Sequence, residues 1–158
     1  MWEDAVTIQT LRHLAERVKQ KYPLATMNGL LDPSGPDIER QFTRAKNDPL
    51  LMATRHCMTW IIRHGALPIT RYTFNTRHDA KALAGCVERW VAQDIRYQGL
   101  SIHIPAIAFV FAASYFDLEE SHGNWPFYQI GERAIRKGYY SETYKTHVQQ
   151  YVKHRIRS

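Results

Sequence analysis

Cysteine is scarce in this chain. Cys57 and Cys86 are the only two, too few for a disulfide framework, so both are expected as reduced, buried thiols of a reducing compartment. Also missing is any apolar run approaching the roughly 20 residues needed to cross a bilayer. No basic segment followed by an apolar one opens the chain, so no signal peptide and a cytoplasmic location are expected. The eight glycines make neither a Walker-type nor a dinucleotide-type pattern, which argues against a phosphate loop. There is no His-Glu-x-x-His and no Cys-x-x-Cys, the spacings that announce zinc. No cofactor is expected. Most informative is an absence of acid: residues 51–78 hold Arg55, Arg63, Arg71, Arg77, His56, His64 and His78, and not one Asp or Glu.

What is present suits a folded, basic domain. Of 158 residues, 44% are hydrophobic and 12% aromatic, and the net charge is +6, with a pI near 9.4. A chain of this length and composition is expected to form one domain, 1–158, with a sizeable core. Residues 1–50 balance seven basic residues with seven acidic ones, whereas residues 133–158 set seven basic residues against Glu142 alone. Two basic blocks on a neutral body point towards a polyanionic partner.

The fold is expected to be all-α or nearly so: a single-domain bundle of six to seven helices around a buried helix near 105–118. The run from Ala106 to Phe116 is apolar on every side except at Ser114, and a helix apolar all round is buried all round. Around it the sequence predicts helices over 3–21, 37–46, 49–64, 77–97, 126–137 and 142–157. Asp48-Pro49, Thr76, Pro126 and Ser141 serve as start signals. Residues 22–36, with three prolines and two glycines, read as an irregular segment lying on the body. Residues 67–75 allow at most a minor strand or hairpin.

Four constellations bear on function. Asp117, Glu119, Glu120 and His122 are metal-ligand types, but a loose cluster specifies a metal site poorly, and a solvated helix end explains it more simply. Cys57 follows His56, yet adjacent helical residues diverge by about 100° and cannot readily form a thiolate pair. Trp125, Phe127, Tyr139 and Tyr140 could form a patch for a protein partner, or simply pack. The basic blocks carry the sharpest expectation. Arg55, Thr59 and Arg63 recur at helical spacing opposite an inner face of Leu50, Ala53, Cys57 and Ile61; Arg71 and Arg77 follow. Arg133, Arg136, Lys137, Lys145, Lys153 and Arg157 make the second block, interleaved with tyrosines. Cations neutralise phosphates and exposed aromatic rings stack on bases. The chain is therefore expected to be a non-enzymatic binding protein for nucleic acid or a nucleoprotein complex, through 51–78 and 133–158, without membrane association. A small adaptor or inhibitor of a larger assembly is the alternative, and a metal-dependent enzyme stands behind both.

Overall fold

The computed structural model describes residues 6–43, 48–64, 73–94, 97 and 102–137. These residues are mostly helical, and β-structure among them is confined to three isolated bridges, Thr26–Gly29, Asp79–Phe127 and Glu120–Tyr128. The elements are α1 (Ile8–Lys21), a single 3₁₀ turn (Glu39–Gln41), α2 (Pro49–Arg63), α3 (Ala80–Ala92), α4 (Ala106–Tyr115) and the short α5 (Glu132–Lys137). The helix expected over 142–157 and the connector up to residue 72 lie outside the described residues. No described helix is long and apolar enough to cross a membrane.

α1, α2 and α3 each start where a side chain can take unpaired amides. Thr7 caps α1 through a capping box with Thr10, so the helix begins at Ile8; of the expected 3–21 helix, residues 6 and 7 are not helical and residues 3–5 lie outside the described residues. Asp48 caps α2, its Oδ1 accepting from the Leu50 and Leu51 amides at 2.9 and 3.0 Å, with Pro49 at the first helical position. Asp48 Oδ2 accepts the amide and hydroxyl of Thr43. Burial pushes the Asp48 carboxyl up. The hydrogen bonds from Leu51, Thr43 and Leu50 more than offset this and hold it below the ordinary aspartate value. The Thr43 contact also explains a departure from sequence expectation. Phe42 turns extended to bring Thr43 to Asp48, so the described part of 37–46 holds only one 3₁₀ turn.

Two further starts move. α3 begins at Ala80, because Asp79, not Thr76, accepts the Ala82 amide at 2.9 Å. Residues 126–131 are extended rather than helical, and α5 begins only at Glu132. Their backbone is committed elsewhere: the Pro126 carbonyl accepts from Ala80, Tyr128 from Asn75, and Phe127 from Ser121. Buried Asn75 also binds this strip through its side chain, its Nδ2 donating to the Ile130 carbonyl and to Glu132 Oε1, each at 3.0 Å.

α4 packs against α1, α2 and α3, and every side chain from Ile107 to Ala113 is buried. Phe109 meets the rings of Trp60 at 5.9 Å and Tyr128 at 5.4 Å. The helix ends in a Schellman turn: Leu118 N–H reaches the Ala113 carbonyl and Asp117 N–H reaches Ser114. Asp117 takes the left-handed position at φ 52° where glycine is usual. Its carboxylate accepts from Arg17 of α1 at 2.6 Å, which binds this corner to α1.

Candidate nucleic-acid interface

With α4 filling the space between them, α2 and α3 leave an open cleft of about 480 Å³ on their outer side. Met52, Arg55, His56, Thr59 and Arg63 of α2 line one wall, and Trp90, Val91, Gln93, Asp94 and Tyr97 line the other. The α2 residues share a face because they recur at helical spacing, while Ala53, Cys57, Met58, Trp60 and Ile61 are buried against the core.

One lining residue, Trp90, belongs to an aromatic column that is otherwise buried. His64 stacks on Trp60 with ring centres 4.6 Å apart and meets Trp90 edge-on at 5.6 Å. Its Nδ1 lies 3.1 Å from the Trp60 carbonyl. Burial holds the imidazole below the ordinary histidine value, the Trp60 carbonyl works against that, and the Arg63 charge adds to the lowering. Across the cleft, His56 and Tyr97 meet edge-on at 5.1 Å.

The cations of the α2 wall are not equivalent. Arg55 is half-buried, and its Nε and Nη2 both donate to the Val6 carbonyl, at 3.1 and 2.6 Å. Its first task is therefore to tie α2 to the chain entering α1. Thr59 Oγ1 donates to the Arg55 carbonyl at 3.0 Å, leaving the oxygen able to accept from a ligand. Arg63, at the helix end, is exposed. Arg55→Ala is expected to lower stability by about 1–3 kcal/mol, the usual cost of stranding a buried acceptor, here the carbonyl of fully buried Val6. Arg55→Lys should recover only part, since an ammonium lacks the guanidinium's fork of donors. Denaturant midpoints measure both, and an unchanged midpoint for the alanine variant would remove the tether's role.

The first basic block is divided by the fold. Arg77 precedes the α3 cap, while Trp90 and Gln93 lie at the other end of that helix. At 1.5 Å per residue, Trp90 is about 15 Å along α3 from Ala80, and Arg77 lies before that helix start. It belongs instead with α5: its charge helps hold the Glu132 carboxyl below the ordinary glutamate value, chiefly set by hydrogen bonding from Asn75 and further lowered by His78. Arg133 and Arg136, both exposed, stand on α5 beside it. Arg71, Lys145, Lys153, Arg157 and the Lys137 side chain lie outside the described residues.

The remaining constellations take structural roles. Lys21 donates to Glu120 Oε1 at 2.9 Å, and the buried Tyr128 hydroxyl donates to Glu120 Oε2 at 3.2 Å. His122 stacks on Tyr22 at 5.2 Å, and Asp117 is the Arg17 partner. Among the described residues, no group of three or more His, Cys, Asp or Glu side chains is placed to hold a metal. Burial raises the Cys57 and Cys86 thiols, the reverse of nucleophile activation, with Arg89 opposing the rise at Cys86. In the aromatic cluster, Trp125 packs against the core and Phe127 is half-buried; Tyr139 and Tyr140 lie outside the described residues.

The helical spacing of Arg55, Thr59 and Arg63 points to one shared face, whereas apolar periodicity does not point to the α3 wall. Trp90 and Val91 fit the apolar periodicity of α3 and so read as core; Trp90 is only half-buried. The available signal was the step from Trp90-Val91 to polar Gln93-Asp94 at the helix end.

No family model matches the chain, no curated protein matches it, and no solved structure matches it.

Proposed function

We propose that this chain is a non-enzymatic, cytoplasmic nucleic-acid-binding protein that engages its partner through the α2–α3 cleft. One observation supports this most: a single concave site sets Arg63, Arg55 and His56 opposite Trp90 and Tyr97. Cations facing aromatic rings suit a polymer of phosphates and bases, because one wall answers the charge and the other the π-faces. Arg77, Arg133 and Arg136, at the far end of α3, add a second cationic patch for a longer partner, with the 133–158 block extending the proposal along the chain.

The decisive variant is Arg63→Glu, since Arg63 is exposed at the helix end and Arg55 is needed for the fold. Affinity for nucleic acid near 50 mM salt is expected to fall about tenfold or more, the effect of losing one charge-assisted contact. Arg12→Glu, the same charge change on the exposed face of α1, should fall far less. Equal losses in the two variants, or an unchanged Arg63→Glu, would count against the cleft.

A further inference from the structure

The shape of the cleft says more than its charge. Resting on the nucleic-acid reading above, we propose that the cleft holds an unpaired nucleotide of a single strand, with its base against Trp90 and Tyr97 and its phosphate on the Arg63 and His56 side.

Three features lead there. The site is a hollow of about 480 Å³, in the range of pockets that enclose small ligands. A duplex presents paired, stacked bases behind two ridges of phosphate, so its bases cannot reach rings set inside a hollow unless one is flipped out. An unpaired base can enter, and stacking on an aromatic side chain accepts any base because each has a π-face. Second, the walls differ in chemistry in the sense a nucleotide requires. Cations and the Thr59 hydroxyl lie on α2; two aromatic rings, with Gln93 and Asp94 at their edge, lie on α3 and just beyond it. Third, α2 and the Trp90 end of α3 are tied together within the fold. The Trp60–His64–Trp90 column joins α2 to α3, and the Arg55–Val6 bonds hold α2 from the other side. Preorganised walls lose little freedom on binding. A duplex reader would instead present a protruding helix or a broad basic face. Here Arg77, Arg133 and Arg136 of the other basic patch lie by the start of α3, whereas the cleft lies by its end.

The test uses the intact protein at low salt and three probes: an oligothymidylate of about ten nucleotides, a hairpin duplex of comparable length, and thymidine monophosphate. Anisotropy of labelled strands, competition by the mononucleotide and tryptophan fluorescence are read together. The oligothymidylate is expected to bind at least tenfold tighter than the duplex and to quench tryptophan emission. Trp90→Phe should keep most of the affinity and lose most of the quenching. Tyr97→Ala, at a position lining the cleft outside α3, should weaken strand binding several-fold while circular dichroism shows the helices intact. A duplex bound as tightly as the strand, or strand affinity indifferent to both Tyr97→Ala and Trp90→Ala, would overturn the single-strand inference and leave the nucleic-acid reading standing. Mononucleotide bound as tightly as the strand would replace it with a free-nucleotide pocket. Binding of none of the three would overturn the wider reading as well.

Discussion

Phe109→Ala is expected to destabilise the protein by about 3–5 kcal/mol, the range for emptying a large aromatic site in a core. Phe109 is fully buried on α4, between Trp60 of α2 and Tyr128 of the extended 126–131 strip. Both neighbours are themselves fixed, Trp60 by stacking on His64 and Tyr128 by its hydroxyl's bond to Glu120. The site therefore cannot collapse to fill the void, which favours the upper part of the range. Against a total stability of about 5–15 kcal/mol, such a loss is large. Ser114→Ala, on the half-buried side of the same helix, should shift stability by far less. Urea midpoints at constant slope measure the difference. A Phe109→Ala cost under about 1 kcal/mol would contradict the tight packing of this site.

Gly29→Ala is the second large effect. Gly29 has φ 152°, a backbone region nearly closed to other residues, and an added Cβ would overlap the Asn124 side chain. Asn124 is not free to withdraw. Its carbonyl accepts from the Leu30 amide at 2.9 Å and its Oδ1 from the Leu31 amide at 3.1 Å, docking the irregular 22–36 segment onto the 121–125 turn. Backbone strain and overpacking each cost about 1–3 kcal/mol. A double-mutant cycle separates them: with Asn124→Ala in place, Gly29→Ala should lose the overpacking part and keep the strain. Full additivity would mean the collision is relieved some other way.

These two sites also show what could and could not be read from the sequence. The run through Phe109 was legible as a helix because no polar residue except Ser114 interrupts it. α2 was legible because Asp48-Pro49 is a local start signal that the tertiary structure also uses. The extended strip at 126–131 was not. Pro126 reads as a helix start, but its own carbonyl and those of Phe127 and Tyr128 are claimed by Ala80, Ser121 and Asn75, partners that no local pattern reveals. The cleft divides the same way. Arg55, Thr59 and Arg63 announce themselves by spacing. Trp90 and Tyr97 join them only through the packing of α3 against α2. Nor does spacing show that Arg55 is bound to a carbonyl 49 residues away, or that Arg77 sits beside α5 rather than with its sequence neighbours.

The proposal that a cationic cleft engages nucleic acid is tested most directly by the salt dependence of its affinity for a short single strand. Each phosphate contact contributes a slope of about −0.7 in log affinity against log salt. A phosphate contact from Arg63 thus predicts a slope near −0.7 or steeper, reduced by about 0.7 in Arg63→Glu. A slope indistinguishable from zero, or no binding at all near 50 mM salt, would contradict it.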